Sequence, residues 1–246
     1  MSSKFPTVSH LLVFLGVFGT MLVCCAAGFT DTISIQNPGF EEPGDGTLGY
    51  VTTPAGWSCG DQCYEYPYAC SESPFSPLGD LGSPDGSSYG ALAANDNGVH
   101  GVSGFTQVVA GVNIAPTTQY TLQVLVGGRG NASNWGFGGS LIELYDETSS
   151  LVLASQEIDR GAPGYPSGGW VTSTASFTTG GSGGSIGDQL AVVLDGLGQP
   201  GSPDPQTWFD DVSLVSAPVP EPTTLTLLGS ALLGLGVVYL RRGRNT

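Results

Sequence analysis

His100, in "NDNGVHGVSG", is the single histidine beyond residue 27. A Ser-His-Asp arrangement would have to be built on it. A lone histidine in a glycine-rich loop is a poor general base, because nothing nearby orients the ring. Carboxylates are plentiful, but Asp80, Asp85 and Asp96 lie among turn residues. A glycosidase pair is defined by a separation that spacing along the chain does not fix. The sequence therefore predicts a protein without a catalytic site. Aromatic residues offer a different chemistry, stacking on a sugar ring with polar groups to orient it. Trp135, in "GRGNASNWGFGG", has Arg129 and Asn134 close in sequence, and Tyr66 stands between Tyr64 and Tyr68 as a second platform. Cys59, Cys63 and Cys70 form the one cysteine cluster outside the N-terminal segment. Zinc would need a fourth ligand. A disulfide is expected instead, Cys63–Cys70 or Cys59–Cys70 in preference to Cys59–Cys63.

The elements that must position these residues are strands. Short alternating segments, "TISIQN", "GFTQVVAGV", "TQYTLQVLVGG", "SLIELYDE", "SLVLASQEI", "GWVTSTASFTT", "DQLAVVLDGL" and "TWFDDVSLVS", are separated by Gly, Pro, Ser and Asp. The spacing leaves no room for crossover helices, so the sheets must be mainly antiparallel and packed as a sandwich. The stretch from Pro43 to Tyr89 reads as long ordered loops, and Thr178 to Asp188 as a mobile hairpin loop. In the last strand, simple alternation puts Trp208, Asp210, Val212 and Leu214 on one face.

Both ends read differently. Residues 1–27 have Lys4, an apolar run from Leu11 to Val23 and small residues before Gly28, the pattern of a cleaved secretory signal. Residues 28–217 form the central domain. It carries twenty Asp and Glu against Arg129 and Arg160, a net charge of −18, and no lysine. Nucleic acid is excluded as a partner, because phosphates need a basic footprint. Residues 218–246 hold "VPEP", an apolar run over 225–240 and "RRGR". An uncharged run of this length, ended by arginines, reads as a transmembrane helix with a cytoplasmic stop.

Two resemblances follow from these segments. "NPGFEEPG", "PAGW", "GWVTSTASFT" and "WFDDVSL" resemble the opening and closing motifs of galactose-binding-like jelly rolls, a superfamily that includes many carbohydrate-binding modules. The resemblance implies an all-β antiparallel jelly-roll β-sandwich over 28–217. It also implies a structural Ca²⁺ held by Glu41 and Asp210, with Asp211 as a substitute. The tail resembles a PEP-CTERM sorting signal, with Pro220, Glu221 and Pro222 as the motif and Arg241, Arg242 and Arg244 as the basic cluster. That implies recognition by an exosortase, transient residence in the inner membrane, and delivery to the cell surface or extracellular matrix of a Gram-negative bacterium.

The leading expectation is an exported, surface-sorted, non-catalytic protein of the extracellular polysaccharide matrix that binds glycan through Trp135, Arg129, Asn134 and Tyr66. The alternatives are a structural or adhesive acidic protein bridged by calcium, and a secreted glycan-active enzyme.

Overall fold

The computed structural model describes residues 29–42, 54–59, 63–67, 83–84, 86, 88–93, 104–128, 138–159, 169–197, 206–219 and 229–236, with 63–67 and 93 by backbone alone. The chain divides into two units, the larger of which is Asp31–Ser216.

Alternation of apolar and polar residues dictates how this unit is built. In β6 (Thr118–Gly127), Tyr120, Leu122, Val124 and Val126 point inward and are buried, while the intervening positions are more open. Each such side chain contributes about 1.5–3 kcal/mol on burial, and a sheet with one apolar face needs a second sheet against it. The first sheet runs β3 (Cys63–Pro67), β4 (Ser88–Ala93), β11 (Gln206–Pro218), β6 and β9 (Trp170–Thr178), with β1 (Asp31–Ile33) also paired to β11. The second runs β2 (Ser58–Cys59), β5 (Phe105–Asn113), β10 (Gln189–Gly196), β7 (Gly139–Asp146) and β8 (Leu151–Asp159). The strand pairs with a defined register are antiparallel. Phe105, Leu122, Ile142, Leu144, Leu194 and Phe209 fill the space between the sheets. The unit is an antiparallel β-sandwich, as the alternation and the jelly-roll resemblance imply.

Three local expectations are corrected. The stretch read as loops up to Tyr89 contains β2, β3 and the start of β4. In β4, "SYGALA", the Phe40 ring lies where a side chain on Gly90 would go, 2.7 Å from an ideal Cβ. The segment 179–188 is not a hairpin loop, since β9 belongs to the first sheet and β10 to the second, so it crosses between them. Strict alternation also fails in β11. Phe209, Val212 and Leu214 face the core while Trp208 faces out, and the extra residue is absorbed at Asp211, whose φ is +46°. A bulge of this kind reverses the face on which every later side chain lies. Asp210 therefore does not share a face with Val212 and Leu214.

Outside this unit, residues 229–236 are helical. The remainder of the expected 225–240 span lies outside the described residues. Among the described residues no helix is long and apolar enough to cross a membrane.

Candidate functional site

The opening "NPGFEE" folds as a knot that fixes everything near it. Asn37 adopts φ +46° and its side-chain Oδ1 accepts the Glu42 N–H at 2.9 Å, while its backbone carbonyl accepts the Trp57 indole N–H at 3.1 Å. Phe40, at φ +56°, is fully buried and stacks on Trp57 with centroids 5.2 Å apart. The Pro38 carbonyl accepts the Val212 N–H at 3.0 Å, tying the loop to β11 just beyond the bulge. Gln107 completes the corner: its Oε1 accepts the Gln36 N–H at 2.8 Å, and its Nε2 donates to the Gln36 and Gly56 carbonyls at 2.9 and 3.0 Å.

This corner brings Glu41 and Asp210 to one short segment. Glu41 Oε1 accepts the Ser88 N–H at 2.8 Å, and its carboxylate lies against Gly86, whose φ is +75°. A side chain at residue 86 would run into that carboxylate. Asp210 is wholly buried; its Oδ2 accepts the Ser83 hydroxyl at 2.8 Å and its Oδ1 accepts the Asp211 N–H at 2.8 Å. Burying a carboxylate is costly unless it is hydrogen-bonded, and the bulge supplies one of the required donors. Asp211 itself is exposed. Among the described residues no group of three or more His, Cys, Asp or Glu is placed to hold a metal ion.

The outward side of β4, β11 and β9 carries a second feature. Tyr89, Trp170 and Trp208 form an aromatic cluster, with centroids 5.1 Å apart for Tyr89–Trp208, 5.7 Å for Tyr89–Trp170 and 6.0 Å for Trp170–Trp208. Register explains the convergence. Trp208 pairs with Ala91, and Trp170 pairs with Gly127, whose missing side chain leaves room for the indole ring. The outward face of an antiparallel sheet is ordinarily polar. Here Trp208 and Tyr89 are only 1% and 5% exposed, and the Trp208 indole N–H makes no hydrogen bond. Tyr64 and Tyr66 of β3 pair with Ala91 and Tyr89 respectively.

The central strands of the other sheet are also buried on both faces. Their outward side places two carboxylates, Glu143 and Asp195, on neighbouring strands; Glu143 pairs with Val193, and Asp195 pairs with Leu141 two residues away. Both are buried, 3% and 2% exposed. Sequence reasoning missed this pair, although a carboxylate inside each of the apolar runs "LIELY" and "VVLDG" was a usable signal. It also missed the Trp208 cluster, because the bulge that turns Trp208 away from Val212 and Leu214 leaves no mark on alternation.

Of the expected ligand residues, Trp135, Arg129 and Asn134 lie outside the described residues, and Tyr66 is described by its backbone alone. Pro220, Glu221, Pro222, Arg241, Arg242 and Arg244 also lie outside them, as do residues 1–27 and Cys70. Cys59 is disulfide-bonded.

Comparison with known proteins assigns the larger unit. The family model described as HpiC1-like, HpiC1 cyclase, matches residues 31–215. The chain belongs to the HpiC1-like family. The solved structures of cyclases from Fischerella support the fold of this HpiC1-like domain. An apo form is 23% identical over 78% of this chain and 98% of that chain, with a TM-score of 0.62. A Stig cyclase in complex with (3Z)-3-(1-methyl-2-pyrrolidinylidene)-3H-indole is 23% identical over 78% and 100%, with a TM-score of 0.61. A third, in complex with 4-(1H-indol-3-yl)butan-2-one, is 23% identical over the same shares, with a TM-score of 0.60. At greater structural distance stands the CBM22-1 xylan-binding domain from Paenibacillus barcinonensis, 9% identical over 80% of this chain and 100% of that chain, with a TM-score of 0.45. No curated protein matches the chain. A PEP-CTERM protein-sorting motif matches residues 218–242.

The sorting motif makes the protein an exported, surface-sorted one of a Gram-negative bacterium, processed by an exosortase. The expectation of a protein without catalysis is corrected, because the family is one of cyclases. The physical reason for the error is plain. Ring closure can proceed by isomerisation, which needs an oriented substrate and a proton donor or acceptor. A search for triads and paired carboxylates does not detect those parts.

Proposed function

We propose that the HpiC1-like domain is an exported, cyclase-type enzyme that takes a flat aromatic substrate against Tyr89, Trp170 and Trp208. The observation that carries the reading is the buried Trp208 indole N–H, which makes no hydrogen bond and stands beside two further aromatic rings. Flat aromatic surface favours stacked or edge contact with such rings, and an indole N–H is a donor that gains from an acceptor on a bound ligand. The indole compounds bound to the Fischerella cyclases are of this type. Among the cluster's residues Tyr89 is the one with a titratable group, so its phenol is the candidate to give or receive a proton as the ring closes. No net oxidant is required, since an isomerising closure conserves atoms and electrons.

The test is calorimetric titration of the full chain with 4-(1H-indol-3-yl)butan-2-one. Wild type is expected to bind it. Trp208→Phe, which keeps a ring and removes the donor, should weaken binding by about five- to tenfold, measured well below the variant's own melting temperature. Absence of binding by wild type, or equal affinity in Trp208→Phe, contradicts the reading. A glycan array with a saturable signal lost in Trp135→Ala would instead support sugar binding in the extracellular polysaccharide, with passage through the inner membrane as the sorting step.

We also propose a structural Ca²⁺ at Glu41 and Asp210. The residues fit it in kind: the carboxylates of Glu41 and Asp210 are hard oxygen donors, and they reach Ser88 and Ser83 of one short segment. Such an ion would fasten the opening loop to the closing strand. Glu41→Gln should abolish the part of the calcium-dependent rise in melting temperature that belongs to this pair; an unchanged rise contradicts it.

A further inference from the structure

A second exposed surface lies on the first sheet, beyond the aromatic cluster. β6 and β9 pair in unbroken register from Gln119–Thr178 to Gly127–Trp170. Alternation sends one set of side chains inward, where Tyr120 stacks on Phe177 and Leu122 and Ala175 join the core. The other set faces out. At its centre Gln123 pairs with Thr174 and Thr121 with Ser176. Leu125–Thr172 and Gln119–Thr178 flank them. Thr121 and Leu125 are half-buried and the others are exposed. The row ends at Trp170, itself half-buried, whose ring lies over Gly127, 2.7 Å from where a Cβ would stand.

None of the eight side chains in these four pairs is charged, in a domain whose net charge is −18. Exposed faces of an acidic domain ordinarily carry some of its charge, so this one is set apart, and its chemistry narrows the partner. Anionic polymers are repelled by the domain as a whole and find no lysine or arginine on this face. A protein partner calls for an apolar centre, and the face offers Leu125 alone. Amides and hydroxyls are each both donor and acceptor, which matches the hydroxyl groups of a neutral sugar. The Trp170 ring at the end of the row adds a stacking surface for the apolar face of a pyranose. The ten residues of β6 extend about 34 Å, a length that suits several units of an extended chain over a single sugar. A β-1,4-linked glucan is such a chain, a straight ribbon edged with hydroxyls. Export and surface sorting bring the protein to where polymers of this kind are met.

We propose that the outward face of β6 and β9 binds an uncharged, extended polysaccharide of the β-1,4-glucan type, held by Gln123, Thr174, Thr121 and Ser176. The surface adjoins the aromatic cluster at Trp170 and does not depend on the cyclase reading. The test is affinity electrophoresis of the full chain through gels containing hydroxyethylcellulose, with alginate as the anionic control. Wild type is expected to be retarded by hydroxyethylcellulose and not by alginate. Gln123→Ala/Thr174→Ala, at two exposed positions, should weaken the apparent affinity about tenfold with an unchanged circular dichroism spectrum. Thr121→Ala/Ser176→Ala, at the neighbouring pair, should weaken it as well. Trp135→Ala should bind as wild type does, which separates this face from the segment around Trp135. Wild type unretarded by hydroxyethylcellulose, or retarded equally by alginate, overturns the proposal. Wild-type affinity in both double variants, or loss of retardation in Trp135→Ala, overturns it too.

Discussion

Phe40 shows how closely single residues are specified. Its ring lies between Trp57 and Phe105 and occupies the place of a side chain on Gly90. Gly90→Ala would put a methyl group 2.7 Å from a ring carbon that cannot retreat. A loss of about 1–3 kcal/mol is expected, measured as a lower denaturant midpoint at unchanged slope. Asp210→Asn keeps the shape of a buried side chain but replaces one acceptor with a donor, facing Ser83 or the Asp211 N–H. That mismatch should cost about 1–3 kcal/mol. If Asp210→Asn unfolds at the wild-type midpoint, the hydrogen bonds described for Asp210 are not what sustains its burial.

At the scale of elements, the decisive feature is the bulge in β11. It lets Phe209 and Leu214 both reach the core while Trp208 joins Tyr89 and Trp170 outside. Deleting Asp211 would remove the bulge while plain alternation keeps Phe209, Val212 and Leu214 inward and Trp208 outward, at the cost of the Asp211 N–H that Asp210 accepts. Such a deletion should keep a cooperative transition but lower stability by about 1–3 kcal/mol, read by denaturant unfolding. This explains which parts of the fold were legible. β5, β6 and β9 were visible because a buried face repeats every second residue, and no bulge of this kind disturbs "TQYTLQVLVGG"; β7 and β10, buried on both faces, were visible as apolar runs. β4 was hidden because "SYGALA" holds no β-branched residue, and at Gly90 the Phe40 ring takes the place of a side chain. The face of Trp208 was hidden because a non-glycine residue at positive φ is a property of the folded backbone. Of the carboxylates, Glu41 and Asp210 were named through the opening and closing motifs. Asp146 ends β7 and Asp188 precedes β10, and the two meet at Ser149 only through the topology.

For the whole molecule, address and chemistry are written in separate segments. The sorting motif at 218–242 directs the protein to the surface, and the HpiC1-like unit occupies 31–215. An exported domain can use a disulfide, and Cys59 is in one. Pairing with Cys63 or Cys70 would close a loop shorter than the fifteen residues for which about 3 kcal/mol is expected. Reduction should therefore lower stability by less than about 3 kcal/mol and leave the domain folded, as followed by circular dichroism. On the proposed function, the outward face of β4, β11 and β9 holds the substrate. A crystal structure of the protein soaked with 4-(1H-indol-3-yl)butan-2-one tests it most directly. The ligand is predicted to lie against Tyr89, Trp170 and Trp208, with an acceptor at the Trp208 indole N–H; ligand bound instead beside Glu143 and Asp195, or bound nowhere, would contradict it.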